Sequence, residues 1–292
     1  MHTVRADVGR VQTSKVARFY SGQWDLLDSF DTFNIHARET KLLQLLEKDR
    51  DFFSGKKVLV AGCAYGWEVY LFHRWGAVVT GVDLYTSAAK NFLSHFGIDS
   101  DKADIQLLQL NIETLDLPAK TYDYIYCNGI LHHTAKTEQA LDNLIRVLTP
   151  GGEFIFGLYG SGGYLWGLVH AGRKFARVLS FVGIGPKQFG QFLMKLPWYY
   201  GVWSNRFEND RIERVVWTVE NLYVPILKNY TPAQVESMLQ SRGQIKILRY
   251  DTAQNKYIPS HQRLPDPLTT RLKYGTFELL YSSKKPQNNQ EE

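Results

Sequence analysis

The sequence predicts an α/β protein built on an open sheet of mostly parallel strands, and three observations carry that reading. Between residues 55 and 160, short apolar runs alternate with stretches of helical periodicity, the pattern of a layered βαβ architecture. The first run, Lys57-Val58-Leu59-Val60-Ala61, stops at Gly62, and Gly66 stands four residues later at the head of Trp67-Glu68-Val69-Tyr70-Leu71-Phe72. That stretch reads as a buried parallel strand, a tight turn and a helix. A second strand, Val78-Val79-Thr80-Gly81-Val82-Asp83-Leu84, then carries an acid at its end.

Taken in order, residues 1–15 show no anchoring pattern, and an aromatic stretch begins at Phe19, Tyr20 and Trp24. Leu42, Leu43, Leu45 and Leu46 fit a helix over 38–48. The helix after Gly66 ends near Trp75-Gly76, and another over 86–96 is capped by Thr86 or Ser87 and closed by Gly97. Residues 104–111 and 122–128 read as the third and fourth strands, 136–148 as a helix stopped by Pro150-Gly151-Gly152, and 153–159 as the fifth strand. Residues 161–230 break the alternation and read as an insertion. Thr231 then caps a helix with Pro232 at its first position, and 245–250 and 276–281 supply two late strands. The expected organisation is therefore an N-terminal helical and aromatic segment (1–54), a core (55–160), a mostly helical cap (161–230), a completion of the sheet (231–283) and a disordered polar tail (284–292).

Composition excludes several classes. With 44% hydrophobic and 22% charged residues in 292, the chain can fill one core with an elaboration. No apolar run is long enough for a transmembrane helix, and Met1 to Arg10 lacks the apolar stretch of a signal peptide. Two cysteines, Cys63 and Cys127, indicate neither a disulfide framework nor a zinc site. A cytoplasmic setting and the absence of a bound metal are the expectations. The net charge of +5 is mild, so its distribution matters more than its sum.

The glycine turn has a chemical meaning. Backbone without Cβ lets a ligand lie against the main chain, and the helix N-terminus adds free N–H groups and a partial positive charge. A carboxylate about twenty residues on, at the end of the next strand, can accept both hydroxyl hydrogens of a ribose. Gly62, Gly66 and Asp83 thus point to a nucleoside-containing cofactor.

Four blocks in this order, the turn at 58–66, Gly81-Val82-Asp83, Asn128-Gly129-Ile130-Leu131-His132-His133-Thr134 and Leu148-Thr149-Pro150-Gly151-Gly152-Glu153, resemble the class I S-adenosylmethionine-dependent methyltransferases. The resemblance is strong over 55–160 and loose over 230–283. It implies a Rossmann-like seven-stranded sheet in the order 3-2-1-4-5-7-6, with strand 7 antiparallel and the cofactor across the ends of strands 1 to 4. By position, it implies that Gly62 and Gly66 line the methionine moiety and that Asp83 holds the ribose. Leu84, Asn111 and Ile112 would meet the adenine, and Asn128 would face the methionine end. Two places depart from the family pattern: Val60 stands where an acid is usual, and Ala64 replaces the middle glycine.

The acceptor side rests on fewer signals. An imidazole is a natural base for a hydroxyl acceptor, so His132 or His133 is the catalytic candidate, and one of the two can serve instead to order its loop. Tyr20 and Trp24 sit where the family places an aromatic segment over the pocket. Between 161 and 215, eight Lys or Arg stand against three acids, a surplus equal to that of the whole chain. Trp166, Trp198, Trp203 and Trp217 fall in or just beyond this window. His170, Arg173, Lys174 and Arg177 share one helical face, and Leu168, Phe175 and Leu179 another. Such a basic amphipathic helix over 164–182 suits either a lid over a small, lipid-like or anionic acceptor, with Trp166 facing it, or a peripheral membrane contact.

The expected reaction is methyl transfer from S-adenosylmethionine to a small or amphiphilic acceptor, with O-methylation favoured. The Pro-Pro-aromatic motif of nucleic-acid amine methylation is absent, which argues against a nucleic-acid substrate. Two rivals stay open: a non-catalytic binding or scaffold protein that lost turnover through Val60 and Ala64, and a nicotinamide-dependent reductase, against which the lack of G-x-G-x-x-G speaks. The oligomeric state does not follow from these residues.

Overall fold

Among the described residues, seven strands form one sheet: β1 (Lys57–Ala61), β2 (Val78–Asp83), β3 (Ile105–Gln109), β4 (Tyr122–Asn128), β5 (Leu148–Tyr159), β6 (Ile245–Asp251) and β7 (Glu278–Lys284). The computed structural model describes residues 14–21, 35–100, 104–196, 211–251, 268, 272 and 278–287. The strands lie in the order β3-β2-β1-β4-β5-β7-β6. Neighbours among β1 to β5 are parallel, and β7 runs antiparallel between β5 and β6. Helices α1 (14–21) and α2 (Ile35–Leu46) precede the sheet. Three more, α3 (Trp67–Arg74), α4 (Ser87–His95) and α5 (Thr137–Val147), connect its strands. A cap of α6 (Tyr164–Phe181), α7 (Pro186–Lys195) and α8 (Arg211–Tyr223) follows β5, and α9 (Pro232–Gln240) leads into β6.

The unbroken apolar run of β1 is explained by burial on both faces. Val58 and Val60 enter the cluster under α2, α3 and α4, while Leu59 and Ala61 enter the one under α5 and α9. Strand alternation therefore turns residue 60 into the core, and Val60 is 1% exposed. Each connecting helix contributes an apolar stripe to one of these clusters: Val69 and Phe72 from α3, Phe92 and Leu93 from α4, Leu141 and Leu144 from α5. At α9, Thr231 Oγ1 accepts from the Gln234 N–H and the Gln234 side chain accepts from the Thr231 N–H, a capping box with Pro232 at the first helical position.

The cap differs from its sequence reading in one respect that matters. Arg173 is buried rather than on the basic face of α6, and its guanidinium donates to the carbonyls of Asn221 at 2.7 Å and Val224 at 2.6 Å. It thereby satisfies oxygens at the end of α8 that a helix C-terminus leaves without partners. Burial and the neighbouring Arg177 hold its pKa below the ordinary value. The end of the chain also differs. Instead of opening the tail, Lys284 is the last residue of β7, paired with Glu153, and Lys285 Nζ donates to the carbonyls of Ile145 and Leu148. Antiparallel pairing to β5 carries the last strand past Tyr281, where its apolar pattern ends.

Candidate cofactor and acceptor site

The loop after β1 is tied to the end of β2 by main chain alone. The Gly62 and Cys63 N–H groups both donate to the Val82 carbonyl, at 2.7 and 3.1 Å. Gly62 has φ +79°, and a Cβ there would fall 2.2 Å from Ile130 Cγ1, so only glycine fits this crossing. Ala64 also lies in the left-handed region, at φ +46°. Its N–H donates to Asp83 Oδ2 at 3.0 Å, and the Tyr85 N–H donates to Asp83 Oδ1 at 3.2 Å. Burial pushes the Asp83 carboxyl above the usual range, while the N–H groups of Ala64, Tyr85 and Leu84 pull the other way. Each oxygen still has a lone pair to offer a ligand hydroxyl.

A cavity of about 350 Å³ opens along the carboxyl ends of β1, β2, β3 and β4, where ligands settle in open α/β sheets. Asp83, Leu84, Asn111 and Ile112 line its β2–β3 side, and Gly62, Ala64, Asn128 and Gly129 line its floor. Asn111 Oδ1 accepts from the Glu113 N–H at 2.9 Å, so the asparagine also shapes its own turn. Asn128 Nδ2 donates to Tyr126 Oη at 3.3 Å, whereas its buried Oδ1 has no hydrogen-bond partner among the described residues. Gly66 caps α3 at φ +85° without lining the cavity, and a Cβ there would sit 3.2 Å from the Ala89 Cα.

The two histidines have unlike places. Both belong to a 3₁₀ turn, Leu131–His133, in which successive side chains point about 120° apart. His132 lies behind the cavity, stacked on Tyr159 with centroids 3.8 Å apart. His133 lines the cavity, with Nδ1 2.7 Å from the Ile226 carbonyl. A carbonyl only accepts, so Nδ1 carries the hydrogen. Nε2 then faces Glu220 Oε1 at 3.4 Å, and that oxygen accepts from Tyr20 Oη at 2.7 Å. Desolvation, then the Glu220 charge, raises the Tyr20 phenol well above its ordinary value and keeps it a donor. One polar chain thus joins α1, α8 and the histidine turn at the cap side of the cavity.

Trp166 is buried against Tyr159, 5.1 Å between centroids, and takes no part in the cavity wall. Trp24, Trp198 and Trp203 lie outside the described residues, as does the side chain of Trp217. The structure adds wall residues that the sequence reading missed. Arg38 lies 3.2 Å over the Trp67 ring, which stacks on Tyr65. Glu113 accepts from the Ala135 N–H at 2.7 Å, and Glu220 is the carboxylate described above. Trp67 could have been noticed as the first helical residue after the glycine turn. Arg38 and Glu220 carry no local signal, because only tertiary packing brings α2 and α8 to the cavity.

These residues fit an S-adenosylmethionine-sized ligand. Glycine backbone at Gly62 and Gly129, the Asp83 carboxylate with lone pairs to offer and the Asn128 side chain border one continuous space.

Residues 59–156 match the family model of the methyltransferase domain. The ubiquinone biosynthesis O-methyltransferase of Idiomarina loihiensis is 28% identical over 195 residues, 65% of this chain and 77% of that protein. Among solved structures, the Burkholderia thailandensis 1,6-didemethyltoxoflavin-N1-methyltransferase with bound S-adenosylhomocysteine is 16% identical. It covers 96% of this chain and 91% of its own, with a TM-score of 0.52. The [4+2]-cyclase SpnF, 13% identical, covers 85% of this chain and 81% of its own with a TM-score of 0.50. Likeness at these identities concerns the fold, and the sequence match concerns the domain at 59–156. Residues 59–156 are thus a methyltransferase domain, and the chain is similar to S-adenosylmethionine-dependent methyltransferases of small molecules.

Proposed function

We propose that the enzyme methylates a hydroxyl group of a small, amphiphilic, uncharged acceptor, with His133 as the base. The observation that carries this reading is the arrangement of His133, which lines the cavity with Glu220, its Nδ1 committed to the Ile226 carbonyl and its Nε2 3.4 Å from Glu220 Oε1. O-methylation is also the reaction named for the Idiomarina loihiensis relative.

When bound, S-adenosylmethionine supplies a sulfonium methyl group that is already electrophilic. The protein has to align the acceptor and exclude water. In this reading Asp83 holds the ribose hydroxyls, Leu84 and Ile112 pack on the base, and Asn128 meets the methionine end. Arg38, fixed over Trp67, is placed to meet a carboxylate there. His133 Nε2 takes the proton of the acceptor hydroxyl, and the Glu220 carboxylate compensates the charge that appears on the imidazole. Tyr20 holds Glu220 in place from the N-terminal helix. Val16 and Val216 give the same end an apolar surface for the body of the acceptor. A carboxylate at this end suits a neutral hydroxyl better than an anionic acceptor, and the cap cations Lys174 and Arg177 are exposed on its outer side.

The test is methyl transfer to a panel of hydroxylated aromatic and amine acceptors by wild type and His133→Ala. A fall in kcat of roughly 10²–10⁴-fold for hydroxyl acceptors, with S-adenosylmethionine affinity unchanged, supports the base. Undiminished turnover in the variant refutes it, and turnover of amines alone refutes O-methylation. Titration with NADH in place of S-adenosylmethionine addresses the reductase rival, for which binding of NADH alone would speak.

A further inference from the structure

Helix α6 has three faces. Leu165, Trp166, Val169, Arg173 and Ala176 are buried against the rest of the protein. Lys174 and Arg177 stand exposed on a second face. On the third, Tyr164, Leu168, Phe175, Val178 and Val182 recur at i, i+4, i+11, i+14 and i+18, a stripe of apolar and amphipathic side chains each 57–65% exposed. The connection to α7 continues this surface with Phe181, 93% exposed, and Ile184. Helix α7 adds exposed Phe192 and Met194. An exposed apolar stripe like that of α6 on a folded protein marks a contact site.

The charge pattern says what covers it. No Asp or Glu occurs between Glu153 and Glu208, and the exposed Lys174, Arg177, Lys187 and Lys195 flank the apolar side chains. A second copy meeting this face with its own would bring like charges together, with no acid in the 154–207 stretch to pair them. An anionic bilayer surface meets both features, since it solvates the aromatic and aliphatic side chains at its acyl boundary and attracts the lysines and arginine at its headgroups. Among the described residues no helix is long and apolar enough to cross a membrane, so the contact is peripheral.

We propose that the outward apolar face of α6 and the turn that follows it form a docking surface for an anionic lipid membrane, with Phe175, Phe181 and Val182 entering the interface. The cap forms part of the acceptor side of the cavity through Val216 and Glu220 of α8, so docking brings that side toward the phase in which an amphiphile is dissolved. The surface itself does not depend on the identity of the acceptor or on His133.

The test is flotation of the full chain with vesicles of phosphatidylcholine alone and of phosphatidylcholine and phosphatidylglycerol in equal parts. Wild type, Leu168→Ser/Phe175→Ser/Phe181→Ser and Lys174→Glu/Arg177→Glu are compared, with thermal melts and S-adenosylmethionine titration as folding controls. Wild type floats with the anionic vesicles only, and added salt releases it. The charge variant loses on the order of twenty-fold or more in partitioning, from about fivefold for each cation near an anionic surface. The triple serine variant loses at least as much while binding S-adenosylmethionine normally. Failure of wild type to float with anionic vesicles overturns the proposal, as does equal flotation of folded variants. A wild-type dimer in gel filtration that the serine variant dissolves overturns it in favour of self-association.

Discussion

Replacing Asp83 by alanine tests the cofactor site directly, because the two jobs of its carboxylate can be separated. In the free enzyme its oxygens accept the Ala64 and Tyr85 N–H groups at 3.0 and 3.2 Å. With cofactor bound, the remaining lone pairs would accept two ribose hydroxyls. Hydrogen bonds to a charged group contribute about 1.5–3 kcal/mol each. Taking the lower figure for two bonds gives about 3 kcal/mol, or a Kd for S-adenosylmethionine raised on the order of 100-fold. Asp83→Asn keeps one acceptor oxygen and no charge, so its loss is nearer tenfold by the same arithmetic. The fold should lose less than the site, since two N–H groups lose an acceptor but a buried charge disappears with it. Calorimetric titration with S-adenosylmethionine and S-adenosylhomocysteine, with melts alongside, reads both effects. A Kd for Asp83→Ala within about threefold of wild type, or under ~0.7 kcal/mol, would refute the ribose role. The pH dependence supplies a second check. Since burial raises the folded carboxyl above its unfolded value, the group favours folding most below its unfolded pKa, and that contribution is lost as pH rises through the folded value. Cofactor affinity runs oppositely: it needs the ionised form and falls as pH drops through the raised pKa, a fall that Asp83→Asn abolishes.

Three further outcomes follow from the same geometry. Val60→Asp, which restores the family's usual residue type, should cost about 3 kcal/mol or more of stability and lower the melting point sharply, because position 60 faces a dry apolar cluster; a stable variant with tighter cofactor binding would contradict the burial argument. Ala64→Gly should raise stability by roughly 0.5 kcal/mol, since relief of left-handed strain of about 1 kcal/mol exceeds the added entropy of an unfolded glycine; a thermal melt reads the sign. Glu220→Gln should lower kcat about tenfold, equivalent to ~1.4 kcal/mol of lost charge compensation at His133, and leave S-adenosylmethionine affinity unchanged. Steady-state kinetics against acceptor and cofactor separately would expose an effect on KM instead.

That Gly62, Asp83, Asn111 and Asn128 line one cavity was legible because it is local: each lies at or within two residues of the end of a strand, so strand periodicity alone brings them to one edge of the sheet. The acceptor half is not local. Glu220 reaches His133 and Tyr20 only through tertiary packing of α8, 200 positions along the chain from Tyr20, and no spacing in the sequence encodes such a contact. The basic stretch shows a different limit. Helical spacing correctly grouped Lys174 and Arg177 but also drew in Arg173, whose angle on α6 points inward to the last carbonyls of α8. Periodicity assigns residues to faces, and it cannot say which of several faces meets protein and which meets its surroundings. On α6 two faces are rich in apolar side chains, and only packing distinguishes the one that closes over Tyr159 from the one that stays outside. The sequence pattern therefore predicted an amphipathic cap helix. The outward apolar face, with cations beside it and no acid, turns that prediction into a specific surface that a vesicle can test.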